Sequence, residues 1–266
     1  MNRLFRFELR RMFRSNLIYI ITGIFTFFTI INALSTAMSC RELGLTMTFQ
    51  SLVTGTFNTF FYIYCIFLAA WIAPCFFCSD YSPGSVMPNV ISHGYSRTKV
   101  FLAKYMAFLV FHVFMFVVPF IVGILTGCVF VDDFSTFNFS ANQLHTLINI
   151  LFSGFATMSL HVFISVVCKM RLSIVIGIFV SNPFVALIVC ALPSFKPKFT
   201  DISSFIMGWY PPFAYMKVFL SNVAQSMGLA QYIKIDFSHL ILSSIILFAL
   251  SFGGSLLITR RKEISK

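Results

Sequence analysis

Two histidines, a cysteine pair and one crowded polar stretch carry whatever chemistry this chain of 266 residues can do. His112 and His161 each lie inside a long apolar run, about seven residues from its basic end, which at ~1.5 Å per helical residue is roughly 10 Å deep. Two imidazoles at matching depth could line a shared polar path or hold a partner across helices. Two separate histidines, each bonded to neighbouring backbone or hydroxyl groups, are the plainer alternative, and neither reading makes a metal site. Cys75 and Cys78 form a CxxC just after Pro74, with no second pair to complete a zinc site, so one face of a packed helix accounts for them. Of the seven cysteines only Cys40 is expected in an external loop, so no disulfide framework is implied.

The missing chemistry is as informative. No glycine precedes a lysine, so the chain has no GxxxxGK[ST] phosphate loop and cannot hold ATP that way. No zinc-binding HExxH, no pair of acids and no evident nucleophile with its base lies within the apolar runs, so an enzyme is not expected. Nor do those runs hold a carboxylate of the kind ion-coupled transporters use. No catalytic residue, metal or cofactor is assigned to this chain.

Such residues are held by elements that can be read from composition. With 58% hydrophobic and only 10% charged residues, the chain lacks the charge to cover a water-soluble surface. Six apolar runs, about 17–38, 57–78, 106–130, 147–168, 172–192 and 239–259, contain no Asp, Glu, Lys or Arg. Each is long enough to cross a ~30 Å hydrocarbon core, and lipid requires each to satisfy its own backbone as a helix. The fold class is therefore all-α integral membrane with six transmembrane helices, kinked where Pro74, Pro119 and Pro183 delete ladder donors. Fourteen of the nineteen Lys and Arg residues fall on one side: the N-terminal arginines, the loops around Arg97, Lys99, Lys104, Lys169 and Arg171, and the tail from Arg260. The positive-inside rule then puts both termini in the cytoplasm of a multi-pass cell-membrane protein. The net charge of +11 is topology and anionic-lipid contact, not a nucleic-acid patch. The first run is too long for a signal peptide and is expected to stay uncleaved.

Three further features complete a single transmembrane domain over 1–266. In residues 1–16, Phe5, Leu9, Met12 and Phe13 form one helical side and Arg3, Arg6, Arg10 and Arg14 another, an amphipathic helix for the headgroup layer. The loop 193–238 is moderately apolar but broken at Pro211 and Pro212, which predicts a re-entrant hairpin on the outer face before the last span. Finally, in the polar stretch 79–105, Asp80 and Ser82 are good N-caps and Pro83 a favoured first helical residue. Val86, Met87, Val90 and Ile91 form one apolar side, Gly94 stops the helix, and Ser96 caps the next. A short amphipathic helix held between two spans is a docking element; the alternative is a solvated turn that carries topology charges.

The order Asp80, Gly84, Gly94, Ser96-Arg97, Lys104, read as D-x(3)-G-x(9)-G-x-S-R-x(6)-K, resembles the first cytoplasmic loop of ABC type-2 permeases. In particular it is similar to membrane subunits of bacterial peptide-antibiotic export and immunity transporters. The likeness spans the whole chain in architecture but only about 25 residues in motif, and Met87-Pro88 departs from the more regular, base-bearing turn of such proteins. The resemblance implies a cytoplasmic coupling helix seated in a cleft of a separate ATPase subunit that binds the ATP. It also implies a second permease subunit, a copy or a paralogue, for which Gly123-xxx-Gly127 allows close helix approach. The expected function is outward movement of a membrane-active peptide antibiotic or other amphiphile, for secretion or immunity. A membrane scaffold or sensor that docks a cytosolic partner without transporting is the alternative.

Overall fold

The computed structural model describes residues 2–42, 44, 46–49, 52–53, 56, 69–78, 87–134, 141–181, 185, 188–189, 196, 198, 200–213 and 237–264. Among them the backbone is almost wholly helical. The helices are α1 (Asn2–Phe13), α2 (Asn16–Glu42), α3 (Ala69–Phe77), α4 (Met87–Ser92), α5 (Arg97–Cys128), α6 (Ala141–Val167), α7 (Met170–Val180), α8 (Thr200–Trp209) and α9 (Phe237–Ile264). Three segments, Asn16–Glu42, Arg97–Cys128 and Ser238–Arg261, are long and apolar enough to cross a hydrocarbon core, as a membrane protein requires. Shorter apolar stretches, Leu151–Val167 and Met170–Val180, lie in α6 and α7. Of the expected second span only 69–78 is described, and Pro183 in the expected fifth lies outside the described residues. Pro74 and Pro119 sit inside continuous helices.

The chain divides into two compact units, each assembled from two separate segments: Met1–Ile63 with His93–Gln143, and Tyr64–Ser92 with Leu144–Lys266. In the first, α5 packs against both α1 and α2. Contacts along α2 and α5 rise together. Thr22 Oγ1 meets Met115 Sδ at 2.6 Å, a Cβ on Gly123 would lie 3.3 Å from Thr29 Cβ, and the Arg41 guanidinium sits 5.9 Å over the Phe130 ring. The two helices therefore run in the same direction. α5 thus begins at the end of the pair where α2 begins.

At the far end of this pair the backbone closes a small clasp. Asp132 N–H donates to the Met47 carbonyl (3.0 Å) and Phe49 N–H to that of Asp133 (3.1 Å), while Met47 N–H donates to Asp132 Oδ2 (3.1 Å). Beneath it Ala33, Ala37, Met47 and Leu52 form a core. The Gly123 and Gly127 pair is used here, inside one chain: Thr29 and Thr56 crowd the first glycine and Leu52 the second.

In the second unit, α6 and α7 form an antiparallel hairpin. Ser165 and Ser173 hydroxyls are 3.1 Å apart, and His161 Nε2 is 2.7 Å from Ser181 Oγ. α3 packs on α7, with Ala70 close to Gly177 and Cys78 Sγ donating to the Ser165 carbonyl at 3.1 Å. α3 thus runs with α6 and against α7. Phe163 fills the space beside Gly254 of α9. Ser153 Oγ donates to the Pro211 carbonyl (2.6 Å), and Trp209 stacks on His239 (5.1 Å between centroids), so α9 also runs with α6. α8 lies at the end where α6 and α9 begin.

Candidate functional site

The polar loop begins outside the described residues, which leaves Asp80 and Gly84 without a described position. Helix α4, Met87–Ser92, is six residues long. It contains Pro88 in its first turn, where the missing N–H breaks no ladder bond. Gly94 has φ of +85°, the left-handed region a helix stop requires and a side chain resists. Ser96 is the N-cap of α5, with φ −70° and ψ 149°, and its Oγ accepts from Lys99 N–H at 3.3 Å. His93 and Lys99 are exposed and Arg97 is half-buried.

Lys104 is different. It is only 1% exposed, a fully buried side chain of α5. The last residue of the motif is therefore an interior one.

Helix α1 explains where that interior lies. Its buried residues are Leu4, Glu8 and Met12. The expected apolar side was centred on Phe5, Leu9, Met12 and Phe13; of these Met12 is buried and the other three are half-buried. The buried side is turned about one residue from the expected one, so that a carboxylate is buried with it, and Arg11 Nε approaches Glu8 Oε2 at 3.5 Å. The α1 arginines expected on the polar side, Arg3, Arg6 and Arg10, with Arg14 just beyond, are exposed.

The two histidines belong to separate units, and each is held by groups of its own. His112 is buried in α5 with Nδ1 3.0 Å from the Phe108 carbonyl and its ring 4.2 Å from that of Phe108. His161 and Ser181 were not linked in the sequence, being twenty residues apart, and the α6–α7 hairpin brings them to 2.7 Å. A serine hydroxyl on a histidine nitrogen at this distance is the geometry of an activated nucleophile. Here it is sealed: His161 is 1% and Ser181 3% exposed. A Cβ on Gly177 would lie 2.9 Å from the free side of the imidazole. Helices α3, α6 and α7 carry no Asp or Glu to orient the ring. The pair acts as an interhelical clasp.

The clasp is part of a seam with its own signature. Ser153, Thr157, His161 and Ser165 recur every four residues on α6 and all are buried. Thr157 and Ser165 hydroxyls donate to the carbonyls four residues back, at 2.7 and 2.6 Å. Ser251, Ser255 and Thr259 repeat the pattern on α9. Small hydroxyl side chains satisfied this way let apolar helices approach closely. Among the described residues, no three His, Cys, Asp or Glu side chains gather as a metal site.

At the opposite end of the second unit, α8 stops before Tyr210 and Pro211–Phe213 continues as one turn. Ser203 Oγ donates to the Val189 carbonyl (2.7 Å) and Tyr210 OH to that of Val180 (3.2 Å). α8 therefore descends antiparallel to the chain from Val180 to Val189. Burial pushes the Tyr210 phenol above its ordinary pKa. Phe205, Trp209 and His239 form an exposed stack, with centroid spacings of 6.1 and 5.1 Å. Tyr215 and the returning limb of the expected hairpin lie outside the described residues.

Neither the protein-family models nor the curated proteins compared with this chain contain a match.

Proposed function

We propose that this chain is the permease subunit of an ATP-driven exporter, moving a membrane-active peptide or similar amphiphile outward with a separate ATPase subunit. The observation that carries this reading is the segregation of charge along the helix directions within each unit. In the first, α2 and α5 start at the same end, where Arg14, Arg97 and Lys99 sit, and finish at Glu42, Asp132 and Asp133, with Arg41 beside these acids. In the second, Lys169 and Arg171 lie at the α6–α7 turn, and α9, which runs with α6, ends in Arg260 and Arg261. Basic ends are cytoplasmic ends.

The parallel course of α2 and α5 asks for a return crossing by 57–78, and with α6, α7 and α9 this supports six spans with both termini inside. The loop between the second and third spans then meets the cytoplasm, with the Gly94 turn and the Ser96 cap aiming exposed His93 and Lys99 at a partner. The family resemblance makes that partner an ATPase, and the lack of a phosphate loop makes one necessary for active work. The spans hold no fixed charge to replace the hydration of an ion or sugar. The exposed Phe205–Trp209–His239 stack offers flat faces to an amphiphile arriving from the bilayer.

Arg97→Glu and Lys99→Glu, made separately, test the docking. Each is expected to weaken co-purification with the ATPase or to uncouple ATP hydrolysis from transport, while insertion survives on the remaining bases. Unchanged association and transport in both would reduce the loop to a topology signal. Deleting the gene with the ATPase intact should sensitise cells to membrane-active peptides. Preserved ATPase binding with unchanged sensitivity and unchanged cell-associated peptide would replace the exporter with a scaffold.

A further inference from the structure

Helix α1 sorts its charges. Glu8 is buried and Arg11 turns toward it at 3.5 Å. Arg3, Arg6, Arg10 and Arg14 recur at steps of three, four and four, fall on one helical face, and are exposed. Phe7, at the edge of that face, is 42% exposed. Among the described residues none of these four arginines pairs with a carboxylate, and Glu8 is the only acid before Glu42 at the far end of α2.

The position of the face selects its partner. Arg14 is followed within two residues by α2, whose first turns expose Leu17, Tyr19 and Ile20 to the lipid. Tyr19 OH donates to the Phe13 carbonyl at 2.8 Å, tying α1 to the start of the span. Phe13 in turn stands edge-on to Phe111 and Phe114 of α5. A row of guanidinium groups bordered by an exposed ring, at the threshold of a span, matches the boundary between acyl chains and headgroups. A nucleic acid or an acidic soluble protein would leave Phe7 unused.

We infer that the arginine face of α1 binds anionic phospholipid headgroups, and that this lipid stabilises the first unit through the contact of α1 with α5. The inference does not depend on the exporter reading. Guanidinium forks match phosphate oxygens bidentately, and each base near an anionic surface is worth about fivefold in affinity.

The test uses the full chain purified in zwitterionic detergent, with thermal unfolding followed as lipid is titrated in. Phosphatidylglycerol should raise the melting temperature and phosphatidylcholine should not. The shift should shrink as salt rises from about 0.1 M to about 0.5 M, because exposed charges are screened. Arg3→Gln, Arg6→Gln and Arg10→Gln together should weaken the apparent phosphatidylglycerol affinity about 100-fold and leave the lipid-free melting temperature unchanged. Arg→Lys at the same three positions should retain most of the shift, and so should Arg260→Gln with Arg261→Gln. Equal stabilisation by both lipids, an undiminished shift in the glutamine variant, or the same shift from inorganic phosphate at matched concentration would each overturn the proposal. If the glutamine variant fails to insert, the salt and lipid arms on the unaltered chain decide alone.

Discussion

Removing the charge of Lys104 is the sharpest perturbation available. Lys104 and Glu8 are each 1% exposed and sit on two helices packed against each other. Phe13 of α1 meets Phe111 and Phe114 of α5, and Glu8, five residues before Phe13, and Lys104, seven before Phe111, each lie within about two helical turns of that contact. The two buried opposite charges are expected to share this interface. Lys104→Met would then leave the Glu8 carboxylate buried without the lysine charge, with the quarter-exposed Arg11 at 3.5 Å. Breaking a buried pair from one side costs about 3–5 kcal/mol, whereas replacing both partners by apolar groups is near neutral. At about 2–4 °C per kcal/mol for a chain of this size, Lys104→Met should lower the melting temperature of the detergent-purified protein by about 6–20 °C. Adding Glu8→Leu should restore it to within a few degrees. Should the single variant fail to fold, recovery of monodisperse protein by the double variant gives the same answer. A silent Lys104→Met, or a double variant as unstable as the two losses added together, would show that the charges do not share a site.

Other outcomes follow from the second unit and from the topology. Ser181→Ala strands His161 Nε2 in the interior and should cost about 1–3 kcal/mol in thermal unfolding; neither it nor the unaltered chain should react with a serine-directed phosphonate. Gly177→Val, pressed against His161 and Ala70, should destabilise by at least about 1–3 kcal/mol. Gly253→Ala, with nothing within 4 Å of the new Cβ, should be neutral or gain up to about 1 kcal/mol. In a cysteine-free background, single cysteines at Asn2 and Ser265 should be shielded from an impermeant thiol reagent in intact cells, while those at Asp133 and Lys198 should label. Labelling of Asn2 or Ser265 would overturn the orientation.

Sequence alone determined the properties that each segment settles for itself. Apolar runs at 17–38, 106–130 and 239–259 became α2, α5 and α9, because in lipid only a helix satisfies its own backbone. Gly94 and Ser96 were legible as stop and cap because both act within a turn of their own position, and the arginine face of α1 because helical periodicity is local. The apolar run 106–130 is only the later part of α5, which begins at Arg97 behind the Ser96 cap as the cap signal implies. What tertiary structure decided was every pairing across helices. Glu8 carried no signal among the arginines around it and Lys104 read as a loop base, yet both are interior. Ser181 carried no signal until a hairpin set it on His161, and Gly123 and Gly127 looked like a seam for a second subunit before Thr29, Thr56 and Leu52 filled it. These contacts depend on the register between segments from eight to nearly one hundred residues apart. Composition and period specify which face of a helix is apolar; they do not specify which residue of another helix arrives opposite it, because close packing selects that partner only once both helices are in place.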